Sequence, residues 1–189
     1  MQASKAKLGI SACLLGAEVR YNGGHKLSRL CSRSLTEHFV FIPVCPKVGI
    51  GMSIPREPIR LVGDPHAPRA VGTVDRSRDV TDALTAYGER MANELQGISG
   101  YIFMQQSPSC GLERVKVYQE GGRPSEPGRG IFAAAFCARH PDLPVEEDVA
   151  GQARAHRQQH DLHEQRRRPA RPSLARGRTH RRTTSGTNR

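Results

Sequence analysis

No run of about 18 apolar residues occurs in the 189-residue chain, so no segment reads as a membrane-spanning helix. A Cys-x-x-Cys pair is absent too, and the five cysteines are scattered from Cys13 to Cys137. An odd, dispersed set does not suit a secreted disulfide framework. Ile10-Ser11-Ala12-Cys13 has the outline of a lipoprotein cleavage box, with Lys5 and Lys7 upstream. The apolar stretch before Cys13 is only about five residues, short of the roughly 7–15 of a signal segment, and it continues through Leu14 and Leu15. The expectation is a cytoplasmic protein, off the membrane, whose thiols stay reduced and free to bind metal.

Residues 151–189 contain no lysine, no aromatic, no Val and no Ile, but 11 Arg against one Asp and one Glu. Of the formal net charge of +11, +9 lies in that stretch and only +2 in residues 1–150. The basic character therefore belongs to a tail. Its few apolar residues cannot offset the entropy of ordering it, so 151–189 is expected to be a disordered Arg-rich tail. The boundary falls near 148–151. Residues 1–150 are long enough and apolar enough to build their own core. A shifted reading frame in GC-rich coding sequence would give such a tail its composition. The functional alternative is a basic arm on RNA phosphates, with RNA contacted through the tail only.

Three short apolar runs each lead into a cysteine. Residues 8–12 read as a buried strand followed by Cys13, and 39–44 as a second strand followed by Cys45-Pro46. Residues 101–104 read as a third, followed by Gln-Gln-Ser-Pro-Ser and then Cys110-Gly111. Residues 59–62 and 115–118 are further strand candidates. Between them, 79–95 has an N-cap at Asp79, apolar residues at spacings of three and four (Val80, Leu84, Tyr87, Met91, Leu95) and a stop at Gly97, which predicts a helix. Helices are also predicted over 25–38 and 131–139, and 63–78 reads as a long polar loop. Strands alternating with helices imply an α/β fold, a mostly parallel Rossmann-like sheet with helices on both faces.

Ligands of open parallel sheets bind at the carboxyl ends of the strands. Cys13, Cys45 and Cys110 should therefore share one rim, in loops shaped by Gly16, Pro43, Pro46, Pro108 and Gly111. Three thiolates suit a 4Fe–4S cluster with one iron left open for a soft substrate atom. Spacing alone leaves two other readings open: buried structural cysteines, and zinc held by the three cysteines with His25. Cys31 and Cys137 fall in helical stretches and read as core packing.

Four blocks carry a resemblance. Ser11-Ala12-Cys13-Leu14-Leu15-Gly16, Val19-Arg20-Tyr21-Asn22-Gly23-Gly24-His25, Pro43-Val44-Cys45-Pro46 and Ser107-Pro108-Ser109-Cys110-Gly111 resemble the thiouracil desulfidase-like family, also known as domain-of-unknown-function family 523. The likeness runs from about residue 7 to 147, in the family's order and spacing. It implies a 4Fe–4S cluster on Cys13, Cys45 and Cys110, and non-redox removal of sulfur from a thiolated pyrimidine such as 2-thiouracil, giving uracil and sulfide. It implies the iron–sulfur assembly machinery as a partner. In the family a serine three residues before the last cysteine serves proton transfer; Ser107 matches it, and as plain structure it would be a turn-former beside Pro108. The family usually has Glu directly after the Cys-Pro pair, where this chain has Lys47; a lysine does not accept protons as a carboxylate does. Relatives with the blocks at 55–60 and 78–83 often continue into a second helical domain, unknown-function family 1722, in place of the tail seen here.

Two functions follow. One is a cluster-dependent desulfidase acting on a small thiolated base. The other is a non-catalytic nucleic-acid-binding protein with a structural metal site and a basic arm.

Overall fold

The computed structural model describes residues 5–119 and 121–148; the expected tail, 151–189, lies outside the described residues. In chain order the elements are strand β1 (Ala6–Ser11), β2 (Phe39–Val44), helix α1 (Pro46–Gly49), β3 (Ile59–Val62), β4 (Arg69–Gly72), α2 (Thr81–Glu94), β5 (Gly100–Phe103), β6 (Val117–Tyr118), α3 (Ile131–Arg139) and β7 (Val145–Glu147). The larger sheet runs β2-β1-β5-β7, all parallel. This is the parallel α/β sheet expected from the three apolar runs. The chain leaves β1 to one side for β2 and later returns to its other side for β5. That reversal opens a crevice at the carboxyl ends of these strands.

Strand alternation divides the core between the two faces. Tyr101 and Phe103 point to one face and stack at 4.1 Å between ring centroids, with Phe132 and Phe136 of α3 against them. Leu8, Ile10 and Ile102 point to the other, where Leu14 and Cys31 cover them. Helices α2 and α3 cover the first face, and short helical turns at Ala12–Leu15, Leu30–Ser34 and Leu35–Glu37 cover the second. Helix α2 keeps the predicted apolar face, with Leu84, Gly88, Met91 and Ala92 buried, but its N-cap is Val80 rather than the expected Asp79, whose Oδ1 accepts the Thr81 N–H at 2.8 Å just ahead of the first turn. Gly88 is where α3 comes closest. A Cβ there would lie 2.8 Å from Ala135 Cβ and 2.9 Å from the Phe132 carbonyl oxygen.

Three expectations need correction. The helix expected over 25–38 is absent from its first turn, where the chain runs alongside the Cys13 turn and alternate N–H groups, of Lys26 and Ser28, bond the Cys13 and Leu14 carbonyls at 2.9 and 2.8 Å. Only the turns at Leu30–Ser34 and Leu35–Glu37 form. The stretch 63–78 is not simply a loop. It contains β4, antiparallel to β3, and β3 pairs in parallel with β6 to make a second sheet ordered β4-β3-β6. The two-residue apolar signal Ala70-Val71 is too short to announce a strand, yet both residues are buried. The strand expected over 115–118 is confined to Val117–Tyr118, with Val115 in an isolated bridge to Gly128.

Candidate functional site

Each strand around the crevice hands the chain to a cysteine. Past β1, Cys13 sits in the Ala12–Leu15 turn, which Gly16 ends at φ +94°, a conformation that strains residues with a Cβ. Past β2, Cys45 precedes α1, whose first residue is Pro46. Past β5, the loop closes at Cys110, with the Gly111 N–H bonded to the Ser107 carbonyl at 2.8 Å. All three line one cavity of about 370 Å³. Cys13 and Cys110 are buried and Cys45 half-buried. Burial pushes the Cys13 thiol up to about 11, and the nearby Cys110 and Cys45 add to the rise against Lys47 and Arg20.

The other two cysteines lie elsewhere, as expected. Cys31 packs in the core of the second face and Cys137 against the aromatic core. His25 is exposed, its Nδ1 accepting the Leu27 N–H at 3.2 Å, and it does not line the cavity. The zinc reading therefore lacks its fourth ligand at the cavity of the three cysteines. A four-iron cluster instead takes its thiolates spread around an inorganic cube.

The polar wall of the cavity is built from residues far apart in sequence. Lys47, on α1, donates through Nζ to Ser109 Oγ at 2.8 Å and to Ser107 Oγ at 3.2 Å. Ser107 Oγ also accepts the Cys110 N–H at 3.2 Å. Ser109 Oγ lies 3.3 Å from Cys110 Sγ and 3.2 Å from Ser107 Oγ. The sequence thus brought forward Ser107 and Lys47 but missed Ser109. Its position next to Cys110 was the available signal, and its partner is 62 residues away.

Arg56 was missed as well. Its Nη2 donates to the Val19 carbonyl at 2.6 Å, its Nη1 to Ser53 at 3.0 Å and its backbone N–H to Tyr21 at 2.8 Å. The same Val19 oxygen lies 3.9 Å from Cys45 Sγ, so Arg56 fastens the 19–21 segment beside that cysteine. Burial lowers the pKa of the Arg56 guanidinium, and Cys45 opposes the shift. Glu57 also reaches the cavity, but its Oε1 takes the Val74 and Asp75 N–H groups after β4. It caps the turn after β4. With Arg20, Lys26, Lys47 and Arg56 facing Glu57, the wall is cationic.

Residues 8–148 match the family model described as 2-thiouracil desulfurase. The uncharacterized protein YbbK of Bacillus subtilis (strain 168) is 34% identical over 111 residues, covering 54% of this chain and 71% of YbbK. A solved structure of the 4Fe–4S-dependent thiouracil desulfidase TudS superposes with a TM-score of 0.59 at 27% identity. It covers 82% of this chain and 99% of its own.

Proposed function

The chain belongs to the 2-thiouracil desulfurase family, and from that premise we propose that it removes sulfur from a thiolated pyrimidine using a 4Fe–4S cluster held by Cys13, Cys45 and Cys110. The observation that carries this reading is the convergence of three strand-end cysteines on one cavity of about 370 Å³. The donor set fits. Three thiolates satisfy three irons and leave one without a protein ligand, and the four surrounding cations balance the negative charge of the thiolates. When bound, the cluster supplies a Lewis-acidic iron for a soft thiocarbonyl sulfur.

The chain's own residues orient the base. Ser107 borders the cavity with its oxygen accepting from Lys47 Nζ and the Cys110 N–H, which leaves its hydroxyl as a proton donor beside Ser109 Oγ, 3.2 Å away. Lys47 Nζ holds Ser107 and Ser109 in place beside Cys110. In balance, C2=S is broken and C2=O formed, one water is consumed, and 2-thiouracil leaves as uracil and hydrogen sulfide with no net electron transfer. The test is anaerobic purification and reconstitution, followed by iron and sulfide counting and chromatography of the products from 2-thiouracil. The expected result is an iron-loaded chain that releases uracil. An iron-loaded chain that leaves 2-thiouracil intact would overturn the substrate assignment.

A further inference from the structure

We propose that Ser109 is a positioning residue that couples the Lys47 ammonium to the sulfur of Cys110, an inference that rests on the reading of Cys110 as a cluster ligand. Ser109 is 0% exposed, so its hydroxyl must find partners within the protein. Three polar atoms surround its oxygen: Lys47 Nζ at 2.8 Å, Ser107 Oγ at 3.2 Å and Cys110 Sγ at 3.3 Å. Their chemistry assigns the proton. An ammonium only donates, so Ser109 Oγ accepts from Lys47 and keeps its own hydrogen to give. Ser107 Oγ is a filled acceptor, since Lys47 Nζ and the Cys110 N–H, each at 3.2 Å, and the Ser109 N–H at 3.4 Å already share its two lone pairs. The hydrogen of Ser109 therefore goes to Cys110 Sγ.

The result is a directed chain from Lys47 N–H to Ser109 O–H to Cys110 Sγ. A cation behind a hydroxyl polarises it and strengthens its donation. Hydrogen bonds to ligand sulfurs weaken their donation to iron and raise the cluster's reduction potential. A carboxylate at this position would reverse the chain, because it can only accept and would draw the Ser109 hydrogen away from sulfur. Lys47 thus has a role of its own here, and Ser109 delivers it.

The experiment is an anaerobic potentiometric titration of the iron-loaded full chain as wild type, S109A, K47M and S109A/K47M. Each single variant is expected to shift the cluster potential to more negative values. The K47M shift should be much smaller in the S109A background than in the wild type, the non-additivity of residues acting through one another. An S109A potential equal to wild type at equal iron content overturns the inference, as do fully additive shifts, which would mean that Lys47 acts through space. Should S109A fail to retain iron, K47M alone decides. The deuterium sensitivity of the iron–cysteine stretching bands in resonance Raman should fall relative to wild type, and unchanged sensitivity overturns the coupling. A wild-type chain that holds no iron would overturn the cluster reading itself and this inference with it.

Discussion

Cys13, Cys45 and Cys110 share a cavity, whereas Cys31 and Cys137 pack into two separate cores. Replacing any of the first three with Ser is expected to abolish iron binding, and C31S and C137S are expected to retain it. Iron content across the five variants checks this, and equal loading would dismiss the ligand set. Lys47 poses a different question, because its ammonium occupies both serines of the Ser-Pro-Ser-Cys segment. A glutamate there could relay protons between water and the ring. K47E is expected to raise uracil release by roughly 10²-fold, the low end of general acid–base contributions. It should lower the cluster potential at the same time, since a carboxylate cannot donate to Ser109. Steady-state uracil release, measured anaerobically, reads the first effect. No gain in an iron-loaded K47E chain would place the proton carrier elsewhere, with Ser107 the next residue to remove.

At the scale of elements, the site depends on how closely α2 and α3 pack behind the aromatic face of the sheet. Gly88 sets that distance. Ala is the better helix former by about 1 kcal/mol, but the new methyl would meet the Phe132 carbonyl at 2.9 Å and Ala135 Cβ at 2.8 Å. The backbone oxygen cannot swing aside, so overpacking of about 1–3 kcal/mol is expected to win. G88A should melt at a lower temperature than wild type, as read by circular dichroism. A G88A chain as stable as wild type would mean that the two helices separate at no cost.

For the whole molecule, the question is where the folded domain ends. The last contacts among the described residues are long-range: Glu147 Oε1 accepts the Leu112 N–H at 2.7 Å, Asp148 Oδ1 accepts from Ser28 Oγ at 2.8 Å, and the Asp148 N–H bonds to the Phe103 carbonyl at 2.9 Å. We propose a domain of residues 1–150 followed by an Arg-rich tail. Deleting 151–189 is then expected to leave melting temperature and iron content unchanged, whereas deletion from Glu147 onward should lower both. RNA affinity that disappears with the tail would support a basic arm, read by gel shift at varied salt because phosphate contacts weaken as salt rises. A large loss of stability on deleting 151–189 would contradict the boundary.

What the sequence determined by itself is local: three apolar runs of strand length each leading into a cysteine, one strongly periodic helix, and the four blocks of the family. Those features are written in neighbouring residues, because strand alternation and helix periodicity are short-range patterns. Tertiary structure decided what depends on partners distant in sequence. Strand β4 exists because Ala70 and Val71 are buried against β3, not because its own four residues demand it. Glu57 is a turn cap because Val74 and Asp75 present their N–H groups to it. The start of the 25–38 segment runs extended because it lies alongside the Cys13 turn, which takes its alternate N–H groups at Lys26 and Ser28. Ser109, an ordinary serine in the sequence, gains its role only when α1 brings Lys47 within 2.8 Å of its hydroxyl. An orphaned polar group is costly once buried, and folding alone decides which groups are buried together.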